Sequence, residues 1–191
     1  MLVSKYGETL DIANAMLKEG NIVKMYIEEK FCREIGTGFC LKVADWKKHT
    51  DWADLIIFDY TGYGEECEKL RNSGKLVVGG SRYTDRLELD RNFGHEQLKK
   101  HKIKVLPSHE FFNFHDAIEF IEKNPDAYVI KPSGETQELK QLLFVGNDDE
   151  GSDVMRILRA YEKSWGDKFG NFQIQKKVKG VEISIAAFFN G

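Results

Sequence analysis

A glutamate that follows a short polar turn lies near the end of the sequence. Residues 172–190, FQIQKKVKGVEISIAAFFN, are typical of two apolar strands joined at Lys179-Gly180, with Glu182 at the start of the second strand. In an adenine-binding hinge, backbone groups such as those of residues 175–178 hydrogen-bond the base edge, and a carboxylate accepts hydrogen bonds from ribose hydroxyls. A plain β-hairpin with a solvated glutamate has the same pattern, so the segment alone leaves both interpretations open.

Two cationic side chains precede this segment. Lys131 stands at the exit of the apolar strand predicted at residues 128–131 and is followed by a proline. An ammonium at such a position needs an anionic partner, which is either a ligand phosphate or a neighbouring carboxylate. Arg86 begins a charged helix after a Gly-Gly-Ser turn. It could supply a second cation to the same phosphates or form an ion pair with Asp90 four residues later.

Short apolar strands alternate with helices in the first 80 residues. Strands are predicted at residues 2–3, 22–27, 55–58 and 76–78, and helices at residues 9–18 and 65–72. This alternation favours a mostly parallel sheet with helices on both faces, and ligands of such sheets gather at the carboxyl ends of the strands. Those ends are residues 4–7, 59–64 and 79–81. No Gly-x-Gly-x-x-Gly follows the first strand, which argues against a dinucleotide-binding domain.

The later residues predict a different arrangement. An amphipathic helix is expected at residues 84–101, and the boundary between two lobes near residue 80. Helices at residues 113–123 and 153–164, strands at 128–131 and 142–145, and the hairpin of residues 172–190 should follow.

Composition excludes several classes of protein. Of 191 residues, 41% are hydrophobic and 31% charged, the net charge is -3, and both signs are interspersed, which argues against nucleic acid as a partner. No apolar run approaches the roughly 18 residues that would span a bilayer, so no membrane association and a cytoplasmic location are predicted. The three cysteines and five histidines lack the spacing of a disulfide framework or a metal site.

The ordered set of Arg86, Lys131, the residue 175–178 hinge and Glu182 resembles the ATP-grasp superfamily and, within it, the phosphoribosylamine–glycine ligase family. The resemblance implies an α/β protein. Residues 1–80 would form a pre-ATP-grasp lobe with a Rossmann-like parallel sheet. Residues 81–191 would form the first part of an α+β ATP-grasp domain and leave that domain incomplete.

The resemblance also implies ligands and the residues that contact them. The cofactors would be ATP and magnesium, with the magnesium ligands beyond residue 191 and no catalytic residue assigned. Arg86 and Lys131 would contact nucleotide phosphates, and Glu182 would contact ribose. The adenine contacts would be made by Gln175, Lys176 and Val178, and the small-molecule substrates would meet Gly7, Glu8, Gly62 and Gly80.

The implied reaction activates a carboxylate as an acyl phosphate, which an amine then attacks with release of ADP and phosphate. In the named family the acid is glycine, the amine is phosphoribosylamine, and the product is glycinamide ribonucleotide. The chain alone is expected to be inactive. It is expected to be either a fragment of a protein of about twice its length or a shortened natural relative.

Three segments depart from the family pattern. Residues 4–10, SKYGETL, keep a glycine and a glutamate but lack the arginine and histidine of the family's first-strand signature. Residues 59–64, DYTGYG, lack a carboxylate at the matching place, and Gly134 is the only glycine between Lys131 and Gly146, where a glycine-rich flap is usual. The acid and amine substrates therefore stay open.

Two other interpretations remain. The chain could be a non-catalytic nucleotide-binding or interaction module derived from an ATP-grasp protein, or a doubly wound domain without a nucleotide role. The apolar residues Phe188 and Phe189 predict a strand edge through which the chain forms a homodimer. Sequence alone does not select among Arg82, Arg86 and Arg91 as the nucleotide contact.

Overall fold

The computed structural model describes residues 1–133 and 139–187, and it divides the chain into two compact units. The units are Met1–Gly94 and His95–Gly191, and the division falls inside a helix. The domain boundary at residue 80 stays a prediction.

Unit 1 contains a five-stranded sheet whose neighbouring strands are all parallel. The strands are β1 (Leu2–Ser4), β2 (Lys24–Ile27), β3 (Leu41–Lys42), β4 (Leu55–Phe58) and β5 (Leu76–Val78), in the order β3-β2-β1-β4-β5. The helices are α1 (Leu10–Lys18), α2 (Gly64–Asn72) and α3 (Arg82–Leu89), with short 3-10 turns at Lys30–Cys32 and Trp46–His49. The parallel sheet confirms the prediction, whereas β3, only two residues long, was too short to predict.

Both faces of this sheet are covered by apolar side chains, as alternation along the strands requires. Leu2 and Met25 pack with Ala13 of α1 on one face. Val3 packs with Phe58 and other core residues on the opposite face. Unit 1 therefore has a core on each side of β1 and β4.

Cys67 lies in the second of these cores and is fully buried. Burial raises the pKa of its thiol to about 11. We therefore expect Cys67 to resist iodoacetamide at pH 8, because the thiolate is the reactive form. The raised pKa also makes the folded state lose stability as the pH rises from 9 to 11, since the unfolded chain ionises this thiol first.

Peptide mass spectrometry of the labelled protein measures this protection. The partly exposed Cys40 is the internal comparison, and urea-unfolded protein, in which every thiol reacts, is the positive control. Labelling of native Cys67 at the rate found in urea would contradict the expectation.

The helix predicted at residues 84–101 is divided in two. α3 ends at Leu89, α4 spans Arg91–Lys100, and Asp90 between them has extended backbone angles. The Asp90 carboxylate accepts a hydrogen bond from the Phe93 amide at 2.9 Å, which is the contact of a residue that caps the start of a helix. The capping conformation of Asp90 therefore breaks the helix, although the apolar periodicity of the sequence continues through it.

Unit 2 contains a four-stranded antiparallel sheet with helices on one face. The strands are β6 (Ser108–Phe111), β7 (Tyr128–Pro132), β8 (Phe144–Val145) and β9 (Phe172–Lys176), in the order β6-β9-β7-β8. Helices α5 (Phe114–Lys123) and α6 (Ser152–Trp165) cover the sheet, and 3-10 turns lie at Lys140–Leu142 and Gly166–Phe169. The buried side chains between helices and sheet include Ile121, Ile130, Leu158, Phe172 and Ile174. The α/β fold class is confirmed.

The predicted hairpin of residues 172–190 is wrong in its second half. β9 forms as expected, but residues 177–187 have no strand, and residues 181–187 are exposed. The reason is the position of β9, which pairs with β6 along one edge and with β7 along the other. A strand with both edges paired cannot accept a hairpin partner.

Candidate functional site

One face of the unit 2 sheet carries polar side chains in register. Lys131 of β7 lies opposite Gln173 of β9, which lies opposite Glu110 of β6. Residues that are directly opposite share a face, and neighbouring strands lie about 4.8 Å apart. Gln173 is 1% exposed and Gln175, two positions along β9, is 5% exposed. The face opposite the helices therefore carries a polar row whose glutamines are buried, with Lys131 near the end of β7.

The predicted hinge begins at the end of β9. The Lys176 amide donates to the Pro107 carbonyl and the Lys177 amide to the Ala127 carbonyl, so this backbone is held from both sides. Among residues 1–133 and 139–187, the Val178 amide has no backbone acceptor. Val178 is 53% exposed, so this part of the hinge lies at the protein surface.

The two lysine side chains of the hinge are held against neighbouring segments. Lys176 pairs with Asp126, and this hydrogen bond lowers the pKa of Asp126 and raises the pKa of Lys176. The Lys177 ammonium donates to the Gly146 carbonyl at 2.7 Å and to Asn147 Oδ1 at 2.6 Å. Both contacts fix the backbone of the hinge. The predicted adenine contact of Lys176 is therefore assigned to its main chain.

Glu182 follows the hinge within the segment that forms no strand. It is exposed, and the structure does not bring it into the polar face of the sheet. The flap after Lys131 is at residues 134–138, and the edge predicted at Phe188 and Phe189 also falls outside the described residues. The contact of Glu182 with ribose and the homodimer stay predictions.

Arg86 belongs to unit 1 and lies on α3. Its guanidinium lies 3.5 Å from Asp90 and 3.9 Å from the centre of the Phe93 ring. The ion pair between Arg86 and Asp90, which the sequence left open as the alternative to a phosphate contact, is thus present. Arg82 pairs with Glu65 at 3.2 Å and Glu68 at 3.6 Å, so exposed acids engage both arginines.

A carboxylate of α3 holds the loop that follows β4. Asp85 accepts hydrogen bonds from the Gly62 amide at 3.0 Å and the Gly64 amide at 2.7 Å. The predicted substrate contact Gly62 therefore already donates its amide to an acid of the same unit. The two glycine amides thus converge on one anionic group, which here is the Asp85 carboxylate.

The turn after β5 is held in a similar way by Arg71 of α2. Its guanidinium donates to the Gly80 carbonyl at 2.7 Å and to the Gly79 carbonyl at 2.6 Å. Gly80 was predicted from the sequence as a substrate contact. Arg71 and Asp85 were not predicted, because their contacts depend on how the elements pack together. The sequence signal for these two residues was a charged side chain near a glycine-rich turn. Ordinary surface residues show the same pattern.

The loop after β1 is short and closely packed. Gly7 has φ of +91°, its amide donates to Ser4 Oγ at 2.7 Å, and a Cβ here would lie 3.0 Å from the side chains of Ile27 and Ile35. Glycine is needed for both reasons. Glu8 is exposed beside it. Gly7 and Glu8 follow β1 at the carboxyl edge of the parallel sheet, and their contact with a substrate stays a prediction.

Several solved structures have a fold similar to that of this chain. Phosphoribosylamine–glycine ligase from Thermotoga maritima matches 94% of this chain with a TM-score of 0.66 at 18% identity. N5-carboxyaminoimidazole synthetase from Staphylococcus aureus, in complex with ADP, matches 93% with a TM-score of 0.63 at 15% identity. The chain has the ATP-grasp fold.

Sequence comparison supports the same relationship. A phosphoribosylamine–glycine ligase from Methanocella arvoryzae is 31% identical over 126 residues, which are 65% of this chain and 28% of that protein. No protein-family model matches the chain. The resemblance to ATP-grasp proteins that the motifs predicted is confirmed.

The relatives with this ATP-grasp fold are ligases and synthetases with different substrates. D-alanine–D-alanine ligase from Bacillus anthracis, in complex with ATP, matches 94% of the chain with a TM-score of 0.54 at 16% identity. The chain spans 47% of the S. aureus structure, 44% of the T. maritima structure and 58% of the B. anthracis structure. It is thus similar to part of an ATP-grasp ligase.

No cluster of three or more His, Cys, Asp or Glu side chains within residues 1–133 and 139–187 is arranged to hold a metal ion. None of the helices in those residues combines the length and apolar character that crossing a bilayer requires.

Proposed function

We propose that this chain is the amino-terminal, nucleotide-binding part of an ATP-dependent carboxylate–amine ligase. The observation that carries the proposal is the polar row of Lys131, Gln173 and Glu110 beside the hinge of residues 175–178. A partly buried ammonium on such a surface suits phosphate, because a charge-assisted hydrogen bond offsets the cost of removing the lysine from water.

Each residue has a defined role in nucleotide binding. Lys131 contacts phosphate oxygens, and the main chain of Gln175, Lys176 and Val178 contacts the adenine edge. The Val178 amide is suited to this because it lacks a backbone acceptor in the described part of the protein. Glu182 accepts hydrogen bonds from ribose. The contact of Arg86 with phosphate stays a prediction.

ATP, when bound with magnesium, supplies the phosphoryl group that converts a carboxylate into an acyl phosphate. The residues of this chain bind and orient the nucleotide, and cations around the phosphates stabilise the charge that develops during transfer. The names of the relatives make glycinamide ribonucleotide formation from glycine and phosphoribosylamine the first reaction to test.

Calorimetric titration with MgATP tests the nucleotide site in the 191-residue chain. We expect saturable binding that Lys131→Ala weakens by at least about tenfold, since a hydrogen bond to a charged group contributes roughly 1.5–3 kcal/mol. Glu182→Ala should also weaken binding. Circular dichroism establishes that each variant is folded.

Matched controls separate these effects from general loss of charge. Lys179→Ala removes an exposed lysine of the turn, and Glu162→Ala removes an exposed acid of α6, so both should bind MgATP like the original chain. Equal affinity of all four variants would contradict the proposed site. In a longer protein, ATP binding without ADP formation in the presence of acid and amine would favour the non-catalytic module.

A further inference from the structure

Asp59 follows β4 at the carboxyl edge of the parallel sheet. Its two carboxylate oxygens each expose less than 1 Å² and have no hydrogen-bond partner among the described residues. The Asp59 amide donates to the Val3 carbonyl, which extends the β1–β4 pairing and sets Asp59 beside Ser4. Alternation along β4 puts Asp59 on the same face as Ile57, which is the face covered by α1.

A second buried polar group lies at this edge. Thr9 immediately precedes α1, is 4% exposed, and its hydroxyl lacks a hydrogen-bond partner in the described part of the chain. The residue stands at the capping position of α1, yet its side chain makes no capping contact. Only five residues join β1 to α1, so Thr9 is held at the carboxyl end of β1.

An unpaired buried carboxylate is costly, because it loses hydration without gaining a hydrogen bond. Native proteins pair nearly all such groups, and the exceptions call for a partner supplied from elsewhere. Asp59 and Thr9 therefore indicate a ligand that donates hydrogen bonds at the carboxyl edge of β1 and β4.

The charges around Asp59 determine which ligand fits. The Gly62 and Gly64 amides, which could hold a phosphate, already donate to Asp85. Glu28 at the end of β2 accepts a hydrogen bond from the Tyr63 hydroxyl at 2.5 Å. The ammonium of Lys5 lies over the Tyr60 ring, 4.3 Å from its centre. The acids Asp59, Glu28 and Asp85 outnumber the ammonium of Lys5, so a phosphate here would meet mainly acids, whereas a positively charged amino group would neutralise Asp59.

We propose that the carboxyl edge of the unit 1 sheet binds a substrate through a positively charged amino group, with Asp59 as the counter-ion and the Thr9 hydroxyl as a further contact, and that no phosphate is held there. This inference rests on the proposed ligase function and names the class of one of its substrates. It differs from recognition of phosphoribosylamine through its phosphate, which would require Asp85 to leave the two glycine amides.

Calorimetry without nucleotide tests the inference on the 191-residue chain at low salt and pH 7. The probes are glycinamide, which carries an ammonium and no carboxylate, and ribose 5-phosphate, which carries a phosphate and no amine. We expect saturable binding of glycinamide and none of ribose 5-phosphate. Asp59→Asn should weaken glycinamide binding at least about tenfold, as expected for loss of a charge-assisted hydrogen bond.

The thermal midpoint of Asp59→Asn separates ligand binding from a structural role. Asparagine has the same shape without the buried charge, so the midpoint should stay the same or rise by a few degrees. Asp54→Asn at the other end of β4 is the control, because Asp54 is exposed and should not affect glycinamide binding. Thr9→Val should weaken glycinamide binding less than Asp59→Asn does.

Four results would overturn the inference: no glycinamide binding by the folded chain, equal binding by Asp59→Asn, binding of ribose 5-phosphate, or a lowered thermal midpoint of Asp59→Asn, which would show a structural role. MgATP titration of the unsubstituted chain keeps the two proposals distinct. Glycinamide binding without nucleotide binding would count against the proposed function alone, and nucleotide binding without glycinamide binding against this inference alone.

Discussion

Phe172→Ala is expected to lower the free energy of unfolding of unit 2 by about 3–5 kcal/mol, the usual cost of truncating a fully buried phenylalanine. Phe172 is completely buried. Its ring centre lies 5.3 Å from that of Phe114 and 5.4 Å from that of Phe169. The cavity would open at the centre of the sheet, because β9 lies between β6 and β7.

Urea unfolding with hydrogen exchange resolved by peptide measures this effect separately in each unit. Peptides containing β7 should lose protection at a lower urea concentration, while peptides containing β4 should keep their midpoint. Phe112→Ala is the matched control, since Phe112 is 75% exposed. If both alanine variants have the same midpoint, Phe172 does not anchor the core.

Gly64→Ala is expected to destabilise unit 1 by about 3 kcal/mol. A Cβ at Gly64 would lie 2.3 Å from the carbonyl carbon and oxygen of Ser81 and 2.6 Å from Asp85 Oδ2. Overpacking against main-chain atoms costs roughly 1–3 kcal/mol, and the shift would also break the hydrogen bond from the Gly64 amide to Asp85. The start of α2 would separate from the start of α3.

The same exchange measurement should show lost protection in peptides from α2 and β5. Gly180→Ala introduces the same methyl group where no atom lies within 4 Å of the new Cβ, so its stability should be nearly unchanged. An unchanged midpoint for Gly64→Ala would mean that the turn at Ser81 can move without cost, and that Asp85 does not fix the loop after β4.

Local patterns were sufficient for most elements of the fold. The strands at residues 55–58 and 76–78 have the bounds that their apolar runs predict, because a short apolar run bounded by turn residues favours a strand. The prediction of one continuous helix at residues 84–101 was wrong at Asp90, where a local capping contact interrupts the helix. The hairpin failed because strand propensity does not reveal which edges of β9 are already paired.

The candidate sites were predictable to different extents. Alternation along β7 and β9 places Lys131 and Gln175 on one face, so part of the nucleotide surface follows from sequence. The contacts of Asp85 span 21 and 23 residues and depend on where α3 packs, which no local pattern specifies. The burial of the Asp59 carboxylate could not be predicted from the sequence either, because the surrounding elements cause it.

The central position of β9 also sets the order in which the protein can acquire structure during synthesis. All five strands of unit 1 have been made once residue 78 is translated, whereas the unit 2 sheet lacks its middle strand until residue 176. At roughly 5–20 residues per second, a ribosome needs about 5–20 s for the interval. Unit 1 can therefore fold on the ribosome while β6 and β7 still await the strand that joins them, and those exposed edges are then open to chaperones.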